Sequence, residues 1–266
     1  FFPLITPFAR LVEMTAGDVS RQIANAHTLF NVGITFLFLP FSGVLARVIC
    51  VLVPESKEGE GLFGPRYLDE RMLDTPALAL GQAHREALRM ADIVSDMFTK
   101  TIDTFTREDP ELIEHVEEKD NQVDTLDRDI KHYLTKLSQQ SLTAEQSKRE
   151  IGILSFVNNL ENIGDIVDKN LMELAKKKLN KGARFSEAGA HEITLLHKKV
   201  QQNLELAIAA FASSDQVLAQ QVLERKLELS QTERRFRQAH IERLHAGYRE
   251  SIDTSEIHLY VLTNLK

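Results

Sequence analysis

The sequence predicts an all-α protein in which a transmembrane helix segment precedes a bundle of two three-helix repeats. Three observations carry this reading. Residues 28–53 are nearly all apolar, with Arg47 the single charge, and an apolar run of about 20 residues matches the roughly 30 Å hydrocarbon thickness of a bilayer at 1.5 Å rise per residue. All seven prolines fall at or before Pro110, which leaves the remainder open to long uninterrupted helices. The chain after Pro76 then repeats itself at a nearly fixed offset.

Taken in order, "FFPLITPFARLVEM" is apolar but carries Pro3, Pro7, Arg10 and Glu13, and reads as the end of another membrane-associated element. Leu29–Val53 is long enough to span, with Pro40 kinking or dividing it. A buried helix of a soluble protein seldom needs so long an apolar run. Asn25, His27, Thr28 and Asn31 stand at its polar mouth, where polar groups are costly and therefore often functional. They are candidates for a substrate or ion pathway; helix capping by Thr28 or Asn31 is the competing reading. Residues 55–76 mix Gly, Pro and both charges without a period, the texture of a linker. The predicted organisation is thus 1–54, the end of a membrane domain; 55–76, a linker; and 77–266, a helical domain. The chain starts at Phe1 without a methionine and stops at Lys266 in a helical pattern, so a fragment is expected.

Within residues 77–266 the stripe Leu80, His84, Leu88, Ala91, Val94, Phe98, Ile102, Phe105 has helical spacing. Breaks are predicted at Asp109–Pro110, an N-cap followed by the first helical position, at Thr143 with Gln146, which have capping-box spacing, and near Gly182 and Gly189. The internal repeat shows when residues 101–119 are laid over 207–225. Ile102, Phe105, Asp109, Leu112, Val116 and Glu118 then fall on Ile208, Phe211, Asp215, Leu218, Val222 and Glu224. "LSFVNNLE" at 154–161 matches "LYVLTNLK" at 259–266, one deletion away. Units of this kind cannot bury their apolar stripes alone, so the two should pack as one bundle.

Charge and motifs exclude several functions. A net charge of -7 gives no electrostatic reason to bind nucleic acid. Cys50 is the only cysteine, so there is no intrachain disulfide and no thiol pair for redox or zinc work. No nucleophile elbow, Walker loop, dinucleotide glycine pattern or His-Glu-x-x-His is present, and an enzyme is not expected. Acidic residues do interrupt the apolar stripes. Asp120 occupies a position that should be apolar, and Asp124 follows at i+4, where like charges repel unless a cation sits between them. Asn158, Glu161, Asp165 and Asp168 form a second polar stripe. Two readings stand: solvated helix faces, or oxygen ligands for a hard cation gathered from two helices.

"ENIGDIVDKNLMELA" at 161–175 and "VEEKDNQVDTLDRDI" at 116–130 resemble the two acidic helices of PhoU-like proteins. "ANAHTLFN" followed by the apolar run resembles the close of a transport repeat in bacterial sodium/phosphate cotransporters, which carry a PhoU-like domain at their C-terminus. "RYLDERMLDTPALALGQAHRE" at 66–86 looks like the junction in those proteins. The resemblance implies sodium-dependent phosphate transport across the inner (plasma) membrane by a multi-pass protein, with residues 77–266 a cytoplasmic, regulatory PhoU-like domain. The alternative is a membrane-anchored PhoU-like signalling or adaptor protein without transport activity. Implied partners are phosphate and sodium ions, the lipid bilayer, and a regulatory protein or a second copy engaged through the helical domain. The resemblance implies no certain cofactor but one candidate, a di- or trivalent metal at Asp120, Asp124, Glu161 and Asp165, which match the family's Glu/Asp-x-x-x-Asp motif. The family's paired Gln-Ser-Ser motifs are absent. In the second repeat Asp120 corresponds to Lys226, Asp124 to Ser230 and Glu161 to Lys266, so no symmetric second site is expected.

Overall fold

The computed structural model describes residues 2–41, 63–107 and 109–266. It divides into two compact units, residues 1–60 and 61–266.

In the first unit α1 (Phe2–Glu13) packs on α2 (Val19–Phe38). Asp18 caps α2, its carboxylate accepting from the Arg21 N–H. The turn is stapled by side chains: Gln22 donates to the Ala16 carbonyl at 2.7 Å and Asn25 Nδ2 to Thr15 Oγ1 at 3.0 Å. Thr28 and Asn31 lie inside α2, so neither caps it. The helix ends at Phe38 and gives way to a 3-10 turn, Leu39–Phe41, at Pro40. The expected transmembrane segment is not upheld. Among the described residues no helix is long and apolar enough to cross a membrane. The reason lies in α2 itself, whose first half carries Arg21, Gln22, Asn25, His27 and Thr28, leaving an apolar stretch only from Leu29 to Phe38. Residues 42–53 of the expected span lie outside the described residues, as do 55–62 of the expected linker. The multi-pass inner-membrane location that rested on this span is withdrawn with it.

The second unit is all helix. Its first repeat consists of α3 (Pro76–Thr106), α4 (Pro110–Leu137) and a third rod made of α5 (Ala144–Asp165), a π-helical segment Ile166–Met172 and α6 (Glu173–Lys181). Its second repeat consists of α7 (Glu187–Ser213), α8 (Gln216–His245), and the short pair α9 (Arg249–Asp253) and α10 (Ser255–Asn264). The local signals act as the sequence requires. Asp109 caps α4 with Pro110 in its first turn, and Asp215, its repeat partner, caps α8 by accepting from the Val217 and Leu218 N–H groups. Thr143 and Gln146 form a reciprocal capping box at 3.3 and 2.9 Å. Gly182 ends α6 at φ +57°, a conformation open to glycine at no steric cost. Gly189, in contrast, sits in the first turn of α7, which Ser186 caps.

The core runs along α3. Leu80, Met90 and Met97 from α3, Leu126, Ile130 and Leu134 from α4, and Ile153 and Leu160 from α5 are fully buried. The repeats meet where α7 packs on α3 and where α10 packs on the π segment and α6. The repeated phenylalanines both point inward: Phe105 is buried near Phe185, and Phe211 stacks between Phe156 at 3.7 Å and His84 at 4.6 Å. A buried polar cluster ties the second repeat together. Glu192 of α7 accepts a bidentate pair from Arg243 of α8 at 2.7 and 2.6 Å and lies 3.4 Å from His258 Nε2 of α10. His258 stacks on His240 at 4.3 Å, and His240 Nε2 is 3.0 Å from Ser255 Oγ.

Residues 63–75 are strapped onto the first repeat. The Glu86 carboxylate, fully buried, accepts from the Arg66 and Tyr67 N–H groups at 2.9 and 2.8 Å and pairs with Arg89, whose guanidinium also donates to the Gly64 carbonyl. Tyr133 holds the next turn through Asp69 O and Gln82 Oε1.

Candidate metal centre

Two rods build the acidic site. In α4 the apolar face Val116, Val123, Leu126 and Ile130 points into the core, and Asp120, on that same face, is carried inward with it to 6% exposure. Asp124, one turn on, is exposed. The facing rod is α5, and it approaches closely because it presents Gly164, which is buried against Asp120 and Val123. Asp165 follows at once. The result is that Asp120, Asp124 and Asp165 each offer a carboxylate oxygen within 4.8 Å of the others.

The electrostatics are strained in one direction. Burial, and then the charges of Asp168, Asp124 and Asp165, push the Asp120 carboxyl up to about 7. Asp168 is raised as well, by burial first and Glu117 second. It lies in the π segment, whose i→i+5 register is rare and recurs at functional positions. Lys169, in the same segment, pairs with Asp165 and partly offsets the charge on Asp120. Its side chain is 60% exposed, so it can swing out when a stronger cation enters. The donor set fits a hard cation: oxygen only, three carboxylates from two rigid helices, and a buried member whose ionised form a cation would stabilise. Bound there, a di- or trivalent ion would supply the positive charge that Lys169 supplies in part.

Of the four carboxylates expected, the structure brings together Asp120, Asp124 and Asp165. Glu161 is not in that group; burial raises it, and the Asp165, Asp127 and Lys131 charges also act on it. Asp168, on the same sequence stripe, is the strongest charge acting on Asp120. In the second repeat the corresponding residues Lys226, Ser230 and Lys266 line one largely apolar cavity of about 330 Å³, with no acidic side chain among its described lining residues. The other candidate set lies on α2. Asn31 Nδ2 is 3.2 Å from His27 Nδ1, Thr28 donates to the Ala24 carbonyl, and Asn25 is tied to Thr15. His27, Thr28 and Asn31 are exposed.

Residues 87–173, which contain all three clustered aspartates, match the PhoU domain. Over that third of its length the chain is similar to the PhoU domain family. Across 99% of its length it is also 32% identical to the protein of Salmonella typhimurium named "Putative inorganic phosphate export protein YjbB", and 31% identical to the protein of that name in Escherichia coli K12. It spans about half of each relative, 48% and 49%. The PhoU-like bundle is seen in solved structures too. PhoU from Pseudomonas aeruginosa superimposes with a TM-score of 0.65 at 21% identity, over 70% of this chain and 88% of that one. The phosphate transport system regulatory protein PhoU from Streptococcus pneumoniae gives 0.63 at 18%, over 72% and 88%. At these identities the structures establish the fold. The names of these proteins speak of phosphate export and of the regulation of phosphate transport, and none names a catalysed reaction.

Proposed function

We propose that this chain is the regulatory helical part of a protein of inorganic phosphate export, and that a di- or trivalent cation held by Asp120, Asp124 and Asp165 sets its state. The observation that carries this is the convergence of three carboxylates within 4.8 Å inside a PhoU domain. Buried Asp120 must either stay protonated near neutral pH or find a cation. Phosphate comes from the names of the relatives that match 99% of the chain. Sodium coupling is the finer reading; it rests on the resemblance of residues 24–31, and with it goes the proposal that Asn25, His27, Thr28 and Asn31 contact the transported ions.

The test uses the full chain and two readouts. Added Mn²⁺ or Fe³⁺ raises the melting temperature of the parent, since a ligand bound only to the folded state stabilises by RT ln(1 + [L]/Kd). The combined Asp120→Asn and Asp165→Asn variant shows no such rise. In cells, the same variant in the full-length protein changes phosphate efflux at equal protein abundance, and Asn31→Ala lowers it. If metal and chelator leave the melting temperature unmoved and the double variant exports as the parent does, the acidic stripes are solvated faces and the proposal fails.

A further inference from the structure

The largely apolar cavity of about 330 Å³ lies between α7, α8, the end of α10 and the π segment of the first repeat. Ile166, Leu204 and Val222 are among its walls, and Leu223, also lining it, is 60% exposed. The internal repeat supplies a comparison. Leu204, Ala207 and Val222 stand where the first repeat has Phe98, Thr101 and Val116. Those three are buried, whereas Leu204, Ala207 and Val222 are half-buried. In the first repeat the third rod runs on past Glu161, and its π segment and α6 pack on both α3 and α4. Val167 and Leu171 of that rod share one core with Phe98 and Val116. The matching rod of the second repeat is α10, where Lys266 stands at the position of Glu161.

We infer that this cavity seats an amphipathic helix that continues α10 and lies along α7 and α8 as the π segment and α6 lie along α3 and α4. Position is the first reason. Asn264, Leu265 and Lys266 line the cavity, so α10 delivers the chain to it. The solved fold is the second. The superposition covers 88% of PhoU from Pseudomonas aeruginosa, and the remainder of that fold has no counterpart here. Polar chemistry is the third. Asn203 replaces Met97 of the first repeat, and its Oδ1 is buried at the cavity with no hydrogen-bond partner among the described residues. Lys226 replaces Asp120 and makes no ion pair among the described residues. The helix that fits carries an apolar stripe at i, i+3, i+4 and i+7, a donor for Asn203 and a carboxylate for Lys226.

The seat has a consequence for both repeats. A helix held there packs on Ile166 and Val167, which belong to the rod that carries Asp165 and Asp168. It therefore ties the second repeat to the acidic rod. In the second repeat the Lys226 ammonium neutralises the helix's carboxylate, where the first repeat's Asp120 calls for an added cation. Neither the phosphate nor the metal reading given above is needed for this.

Thiol labelling with a maleimide tests the inference in two chains, residues 1–266 and the natural chain carrying whatever follows Lys266, both with Cys50→Ser. Ala207→Cys and Val222→Cys report on the cavity, and Ile151→Cys, 62% exposed on α5, is the control. Both cavity thiols are expected to react about tenfold or more slowly in the longer chain, at a rate set by local opening. The control reacts alike in both. Lys226→Glu in the longer chain restores fast labelling at Val222→Cys, because two carboxylates then meet. Four results overturn the inference: a reading frame that closes at Lys266, equal labelling of the cavity thiols in the two chains, protection that Lys226→Glu leaves unchanged, or protection that grows with protein concentration, which would make a second copy the cover.

Discussion

Gly164 lies directly beneath Asp120: a β-carbon there would stand 2.8 Å from Asp120 Oδ1 and 3.4 Å from a Val123 methyl. The glycine is thus the seat of the buried carboxylate, and any side chain moves that carboxylate off its neighbours Asp124 and Asp165. Gly164→Ala should lower cation affinity by about tenfold or more, equal to about 1.4 kcal/mol. Its effect on stability should be small, because alanine in a helix interior gains about 1 kcal/mol over glycine against the cost of displacing Asp120. Titration with Mn²⁺ beside a urea melt checks this; a variant that binds as the parent does would show that Asp120 is not a ligand.

Lys169 competes with any bound cation. It pairs with Asp165, and its charge also reaches Asp120 and Asp124. Replacing it by glutamine should strengthen cation binding and lower the melting temperature of the metal-free protein, because the three carboxylates then repel without compensation. The two effects have opposite signs, so a protein damaged in a general way would not reproduce them.

Acid should loosen the second repeat through His240. Burial, and then the charges of His258 and Arg243, bring this imidazole down from 6.5 to about 4. Between those values the unfolded chain binds the proton and the folded one does not, so the stabilising contribution is complete above about 6.5 and lost as pH falls to about 4. His197, buried against the Phe98 carbonyl, is lowered by burial and acts in the same sense. Asp120 acts in the opposite sense: with its carboxyl raised from 3.8 to about 7, it favours the fold below that range and loses this contribution as pH rises through it. Urea midpoints measured from pH 4 to 7 should therefore rise less steeply in His240→Gln than in the parent, and more steeply in Asp120→Asn.

Glu86 anchors the strap. Its carboxylate satisfies two backbone N–H groups and the Arg89 guanidinium while fully buried. Glu86→Ala leaves those donors and a mostly buried cation without their acceptor, a loss of about 3 kcal/mol. Hydrogen exchange at the Arg66 and Tyr67 amides should speed up well before the rest of the bundle does. Protection that survives the substitution would mean that Tyr133 alone holds the segment.

Much of this was legible because it is local. Asp109 with Pro110, and Thr143 with Gln146, act on backbone groups within three residues, so sequence alone places those helix starts. The duplication carried the same inference to Asp215. Asp120 and Asp124 share a helix face at any i, i+4 spacing, and Asp165 stands on a second stripe of the same kind, but spacing along each rod does not say that the two stripes meet. Glu161 and Asp168 were harder to rank, since the stripe assumes a regular helix and the chain turns π-helical after Asp165. The apolar run after Thr28 misled for a related reason. Hydropathy counts residues, whereas crossing a bilayer requires one uninterrupted helix of sufficient length, and α2 stops at Phe38 before Pro40.

By itself the sequence determined the helix starts and stops, the two repeats and the acidic stripes, all of which depend on spacing along one rod. Tertiary structure alone decided which rods touch and how closely. Gly164 lets α5 approach α4 so that three carboxylates converge, and Glu86 draws back a strap that looked like a linker. Ile166, Leu204 and Val222, from three different rods, reach one cavity only after the two repeats have packed together. The physical reason is common to these cases. Helical periodicity fixes the face on which a side chain emerges, but the facing partner is set by long-range packing between surfaces whose small and large residues must interlock.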